Sequence, residues 1–259
     1  MSRWSMMIAA GLLAATAAWP QADSPMHARV SFDAGSTLVK GTQDSDWGSA
    51  PVNTLLLPGD NLWVDDGGTA EIELPGLNYL RLADGSKAEL EALPPNATIR
   101  GWTGAFFVQR LQRATGDFVF KTPAATVQVA PESMVRIDVL QAGQTTVTVR
   151  WGQALVRAAS GEPVTVPAGK RVFVDPGLLP STLVDFNRSE EDGFDQWNRG
   201  RAEYLAVGPS PAPESVDFAP STLGTADLAK HGEWVYVDNR HYWRPTVVVD
   251  YVPFRAGHW

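Results

Sequence analysis

Hydrophobic and polar residues alternate along most of the first two thirds of the chain. Val135, Ile137 and Val139, for example, are separated by single polar residues. Strict alternation is typical of β-strands that bury one face, and glycine-containing turns recur about every 8 to 12 residues. We therefore predict a mainly β domain over residues 29–178. It should be an antiparallel β-sandwich or β-roll built from successive hairpins, with the polar face of each strand in water.

The hydrophobic period lengthens after this β region. Phe194, Trp197 and Leu205 recur at helical spacing, and Ser189 precedes acidic residues that suit the positive end of a helix dipole. The pattern predicts one amphipathic helix over residues 188–206, capped at Ser189.

A proline-rich stretch follows the predicted helix. Prolines at positions 209, 211, 213 and 220 predict a semi-rigid linker over residues 207–221. Residues 225–259 are rich in aromatic side chains, which predicts a small β module. Within this module, Thr225 is expected to cap a short helix that ends at Gly232.

Aromatic side chains of this module are the candidate binding residues. Indole and phenol rings stack on sugar rings or on proline-rich peptides, and each brings a polar edge. The alternative is that a small β unit needs these rings for its own core. The candidates are Trp234, Tyr236, Tyr242, Trp243, Tyr251 and Trp259.

The N-terminal residues resemble an export signal. Arg3 precedes an apolar run from Met6 to Ala18, and Pro20 follows. As a helix this run covers about 20 Å, whereas a spanning helix must cross about 30 Å of hydrocarbon. We predict a cleaved signal peptide over residues 1–18, which leaves no transmembrane span and places the mature protein in the periplasm or outside the cell.

The composition of the chain disfavours several classes of partner and of catalytic site. The chain has 29 acidic and 21 basic residues, a formal net charge of −8, which disfavours nucleic acids and anionic lipids as partners. It contains no cysteine, and it lacks the nucleophile-elbow, zinc-hydrolase and phosphate-loop motifs. We therefore predict no catalytic residues, no metal site and no cofactor.

Eight segments of the predicted β domain occur in a characteristic order. They are Pro58–Trp63, Ala70–Leu74, Gly104–Leu111, Phe118–Pro123, Val135–Val139, Thr146–Val149, Gly152–Ala154 and Val166–Lys170. In this order they resemble the FecR-like β domain. Gly232-Glu233-Trp234 and Trp243-Arg244-Pro245 are similar to the G-x-W and W-x-P units of exported FecR-like proteins that carry a tryptophan/proline repeat region.

This resemblance implies a periplasmic location in a Gram-negative bacterium and no recognised catalytic residues. Such repeat regions typically continue through further units, whereas this chain ends at Trp259, so either the module is short or the chain is a fragment. FecR-like regulators of sigma factors need an uncleaved spanning helix. The apolar run here is too short for one, so we do not carry that role over.

Taken together, these features predict a non-enzymatic binding or assembly module of the bacterial cell envelope. Its partner would be an envelope protein or a glycan polymer, and the oligomeric state stays open. One alternative is a module that binds peptidoglycan or polysaccharide through its C-terminal aromatic residues. A second alternative is an envelope hydrolase.

Overall fold

The computed structural model describes residues 26–35, 37–206 and 222–246, and it confirms a mainly β architecture. The predicted signal peptide and proline linker lie outside these residues, as do residues 247–259 of the aromatic module. The strands of the main body are β1 (Ala28–Asp33), β2 (Thr37–Lys40), β3 (Gly48–Ser49), β4 (Leu55–Leu56), β5 (Asn61–Val64), β6 (Ala70–Leu74), β7 (Asn78–Leu82), β8 (Lys87–Ala92), β9 (Asn96–Arg110), β10 (Asp117–Lys121), β11 (Ala125–Val129), β12 (Ser133–Val139), β13 (Thr145–Trp151), β14 (Gln153–Ala158), β15 (Val164–Pro167), β16 (Lys170–Val174) and β17 (Val184–Asp185).

These strands form two layers that share one long strand. In sheet A the order is β4-β1-β6-β7-β9-β12-β13-β16-β17. In sheet B it is β3-β2-β5-β8-β9-β10-β11-β14-β15. The pairs are antiparallel apart from β9 and β10, which run parallel, so the chain is not a simple succession of hairpins.

Strand β9 passes from one layer to the other at Gly104. Residues 96–103 pair in sheet B and residues 104–110 pair in sheet A. Gly104 has a φ of +105°, and a Cβ atom there would lie 2.5 Å from the Cα atom of Ser86. Only glycine meets both conditions, because it adopts positive φ without strain and has no side chain.

Inward-facing residues of the two sheets make the core. Leu62 and Ile99 from sheet B pack with Ile72 and Ile137 from sheet A, and all four are fully buried. Packing of the inner faces of two sheets against each other is the arrangement expected for a β-sandwich.

Helix α1 (Gly193–Ala206) packs on the outer face of sheet A. The ring of Phe194 lies 5.2 Å from that of Phe107, and Trp197 stacks beside Phe194 at 5.7 Å. The helix begins at Gly193 rather than near residue 188. Asp192 caps it, because its carboxylate accepts a hydrogen bond from the backbone N–H of Asp195 at 2.8 Å. In return, the Asp195 carboxylate accepts one from the backbone N–H of Asp192 at 3.3 Å.

A short helix and a hairpin follow the undescribed stretch. They are α2 (Thr225–His231), β18 (Gly232–Val237) and β19 (Arg240–Pro245). Gly224, with a φ of +80°, occupies the cap position of α2 in place of the expected Thr225. Among the helices described, none has the length and apolar character needed to cross a membrane.

Candidate functional site

The hairpin β18–β19 divides the candidate aromatic residues between two faces. Trp234 pairs with Trp243, and Tyr236 pairs with His241, so these four side chains share one face. Tyr242 pairs with Val235 on the opposite face. Tyr251 and Trp259 lie outside the described residues. The hairpin therefore does not bring all the described candidates to a single binding surface.

Trp243 occupies a supporting position inside the small module. Its indole N–H donates to the backbone carbonyl of Leu228 in α2 at 2.9 Å. A side chain at Gly232 would overlap its ring, so the glycine leaves the space that the indole fills. This residue links the hairpin to α2, as expected for a ring used as core.

Among the four candidates that the structure describes, Tyr236 and Tyr242 are the most exposed residues, with exposed fractions of 61% and 48%. The Tyr236 hydroxyl donates to the side-chain carbonyl of Asn239 in the hairpin turn, and its ring lies 4.8 Å from that of His241. Because Tyr236 and Tyr242 are on opposite faces, a single ligand ring cannot stack on both.

The module is joined to sheet A by a polar seam. The Arg29 guanidinium binds Glu73 at 2.7 Å and Asp227 of α2 at 2.6 Å. The backbone N–H of Gly224 donates to the Glu73 carboxylate at 2.9 Å, and the Tyr204 hydroxyl of α1 donates to Asp227 at 3.1 Å. Burial raises the pKa of Glu73, against the opposing effect of Arg29.

A second polar cluster lies directly beneath α1. Glu71 and Arg81 are both fully buried and form an ion pair at 2.7 Å. Arg201 of α1 binds the other oxygen of Glu71 at 2.6 Å, while Arg81 also donates to Asn198 at 2.5 Å and to Gln109 at 2.7 Å. Burial alone would raise the pKa of Glu71, but the two guanidinium groups outweigh it and lower that pKa.

This cluster corrects the prediction that the polar face of each strand lies in water. All five residues of β6 and all five of β7 are buried, including Glu71 and Arg81. The reason is that α1 covers this part of sheet A with its own polar side chains. No local signal marks this burial, because Arg81 alternates with Leu80 and Leu82 as an outward-facing polar residue does in water.

The first turn of α1 is held by a third set of ion pairs. Arg136 of β12 binds Asp138, Asp192 and Asp195 at 2.9, 2.7 and 2.9 Å. Arg150 of β13 binds Asp195 at 2.5 Å. Burial works against the charge of Arg136, yet the three carboxylates raise its pKa above the ordinary value. Together, the three clusters link both ends of α1 to neighbouring elements.

A cleft of ≈ 380 Å³ opens beside α1, at the end of β13. Met134, Trp151 and the alanines at positions 202 and 206 contribute apolar surface to it. Trp151, the last residue of β13, is 41% exposed, and an irregular register in the β12–β13 pair places it opposite Met134. We call this feature the α1 cleft.

Both arginines that line the α1 cleft are paired with carboxylates of the protein. Arg150 is paired with Asp195 at 2.5 Å, and Arg199 is paired with Glu191 at 3.2 Å. Paired charges around an exposed indole offer an apolar contact surface with a polar rim. In residues 26–35, 37–206 and 222–246, no group of three His, Asp or Glu side chains is placed to hold a metal ion.

Known proteins resemble this chain only distantly. No family model and no curated protein sequence matches the chain. Two crystal structures of a Parabacteroides distasonis protein described as a "putative anti-sigma factor" are similar to it, with 12% and 13% identity and a TM-score of 0.44 for each. Each match covers 72% of this chain, and 99% and 98% of the respective solved chains.

Proposed function

We propose that this chain is a non-enzymatic binding module of the bacterial cell envelope that acts in the periplasm. Its ligand surface is the α1 cleft, and its ligand is an apolar segment of a partner protein. The periplasmic location is supported by the export-signal pattern of residues 1–18 and by the FecR-like order of β segments.

The observation that carries the proposal is the α1 cleft, with its apolar surface and the exposed Trp151. Interfaces obtain most of their affinity from a few anchors, among which tryptophan is enriched, surrounded by polar groups that exclude water. A preformed cleft also avoids the entropic cost of ordering a loop when the partner binds. The ion pairs that fix α1 provide this preorganisation.

The buried charged groups support a structural role rather than a catalytic one. Glu71 and Glu73 have shifted pKa values, but both carboxylates are held by arginines. The same is true of Asp138, whose pKa is raised by burial while it pairs with Arg136. A general base needs a carboxylate or imidazole free to accept a proton from substrate, and these carboxylates are engaged in fastening helices.

Binding of carbohydrate by the C-terminal aromatics is a second candidate function, favoured by the exposed rings of Tyr236 and Tyr242. Since the two rings lie on opposite faces of the hairpin, each would stack on a sugar separately. Tyr236→Ala and Tyr242→Ala variants, tested by retention on immobilised glycans, would identify this activity.

The test of the α1 cleft uses the complete exported chain with a photo-crosslinking amino acid at position 151. The matched control carries it at Trp63, an equally exposed tryptophan in sheet B. A protein captured from envelope extract only through position 151 is then purified, and its affinity for the chain is measured. Trp151→Ala should weaken binding about tenfold or more, as expected for an anchor residue, and Trp151→Phe should recover part of it.

Two outcomes would contradict this function. One is the absence of any saturable partner that crosslinks selectively through position 151. The other is equal loss of binding in Trp151→Ala and Trp63→Ala, since that would place the contact away from the α1 cleft. Thermal melting of each variant shows whether the loss reflects binding or unfolding.

A further inference from the structure

The outer face of sheet B exposes two tryptophans of the main body. Trp63 of β5 is 40% exposed and Trp102 of β9 is 44% exposed. Trp63 points outward because its neighbours Leu62 and Val64 are fully buried in the core. Two partly exposed indoles on the same sheet face make an apolar patch, which marks a candidate contact surface.

Trp102 lies on this face at the position of a β-bulge. Lys87 of β8 pairs with Thr103, and the next residue, Ala88, pairs with Gly101, so Trp102 is the extra residue between them. Gly101 faces the core, where a Cβ atom would lie 2.6 Å from the Phe120 ring. Because residues alternate along β9, Trp102 points outward with Arg100 while Gly101 points inward.

The register fixes the distance between the two indoles. Trp63 pairs with Lys87, and Lys87 pairs with Thr103 next to Trp102. The two indoles therefore stand on strands separated by one intervening strand, roughly 10 Å apart. Trp47 supports Trp63 from the side, with ring centroids 5.9 Å apart and nearly perpendicular planes.

Polar side chains lie between and beside the indoles. The Lys87 ammonium is directed at the Trp47 ring, 5.7 Å from its centroid, and the Arg100 guanidinium lies 5.2 Å from the Trp102 ring. Glu89 stands opposite Arg100, between β5 and β9. The surface is thus two apolar rings separated by groups that donate and accept hydrogen bonds.

We propose that this surface, which we call the tryptophan platform, binds a linear glycan of β-linked pyranose rings. A pyranose presents an apolar C–H face that stacks on an indole, and hydroxyl groups at its edges that bond to charged side chains. The spacing of the indoles, about two strand widths, is close to the length of a disaccharide unit. The platform presents indole rings with polar side chains between and beside them. This arrangement matches a glycan chain, which presents apolar C–H faces and polar hydroxyl groups in turn.

Other occupants fit the platform less well. A protein partner would need a continuous apolar centre, whereas Lys87 and Glu89 of β8, the strand between the two indoles, place polar side chains in this surface. Acyl chains of a membrane would have to bury the carboxylate of Glu89. An acidic polymer would be repelled by the formal net charge of −8, whereas a neutral glycan would not.

The tryptophan platform is separate from the α1 cleft. The platform lies on the outer face of sheet B and the cleft on the outer face of sheet A, with the core between them. Glycan binding at the platform therefore goes beyond the proposed binding of a partner protein. The two activities have independent tests.

Isothermal titration of the complete exported chain with cellohexaose and with chitohexaose tests the platform. We expect saturable binding of at least one of these neutral glycans, with little dependence on salt. Trp63→Ala and Trp102→Ala should each weaken it about tenfold, by analogy with the loss of an aromatic ring that stacks on a nucleobase. The matched control is Phe173→Ala, which removes an exposed aromatic ring from sheet A (38% exposed) and should leave glycan affinity unchanged.

Three results would overturn the glycan proposal. The first is no binding of either hexasaccharide, and the second is binding that Trp63→Ala and Trp102→Ala do not weaken. The third is a concentration-dependent dimer that dissociates in Trp63→Ala, because the platform would then be a contact between two copies of the chain. Thermal melting confirms that each variant is folded, and Trp63→Tyr, which keeps a stacking ring, should retain most of the affinity.

Discussion

Replacement of Glu71 by leucine tests whether the buried polar cluster fastens α1. The Glu71 carboxylate is fully buried and accepts from Arg81 at 2.7 Å, from Arg201 at 2.6 Å and from Ser31 at 2.8 Å. Removing one member of a buried ion pair costs about 3–5 kcal/mol, because the remaining charge stays desolvated. We expect the loss of stability in Glu71→Leu to lie near the upper end of this range, since two guanidinium groups lose the same partner.

Replacement of the partner, Arg81, should cost less stability than replacement of Glu71. In Arg81→Met, the Glu71 carboxylate keeps Arg201 and Ser31, so we expect a loss near the lower end, about 3 kcal/mol. The double variant Glu71→Leu/Arg81→Met should lose less than the sum of the two single changes. The reason is that residues in one ion-pair network are coupled.

Urea denaturation at neutral pH, followed by tryptophan fluorescence and by far-ultraviolet circular dichroism, measures these free energies of unfolding. Arg157→Met, which changes an exposed arginine of sheet B, is the control and should alter stability by at most about 0.5 kcal/mol. A loss below about 1 kcal/mol for Glu71→Leu would refute the reasoning. A larger loss for Arg81→Met than for Glu71→Leu would refute it as well.

Three further predictions concern other parts of the structure. Gly104→Ala should destabilise the sandwich by about 2 kcal/mol or more in thermal melting, because its positive φ and the nearby Ser86 backbone leave no room for a Cβ. Because arginines lower the pKa of Glu71 below 4.5, its stabilisation is present above that pH and disappears as the pH falls through the folded-state pKa. Glu71→Gln should therefore lose stability at neutral pH and show a shallower decline with acid in denaturation midpoints. Trp243→Phe removes the hydrogen bond to the Leu228 carbonyl and should cost the small module about 1 kcal/mol, seen as faster amide exchange in residues 225–245 with the main sandwich unchanged.

Much of the sandwich was predictable from the sequence because strand patterning is local. Val135, Ile137 and Val139 alternate with polar residues, and the structure buries all three in the core. The same local rule predicted one amphipathic helix with Phe194 and Trp197 on its packed side, and both rings contact other aromatics. Side-chain period depends only on backbone geometry, so it can be read from neighbouring residues.

Pairings between distant segments were not predictable in this way. Glu71 meets Arg201 across 130 positions, and the pattern around Glu71 is the same whether that face meets water or a helix. The parallel pairing of β9 with β10 and the passage of β9 between sheets are likewise decided by packing of the whole chain.

For the candidate binding residues too, some features follow from local sequence and others from the folded chain. The sequence by itself determined which residues are aromatic and which segments are strands, and it drew attention to the dense aromatic tail. Only the tertiary structure decided that Trp243 supports a hairpin, while Trp63 and Trp102 stand on one exposed face. Strand register and a bulge bring those two rings together, and both depend on which strands pair, a property of the folded chain rather than of any local stretch.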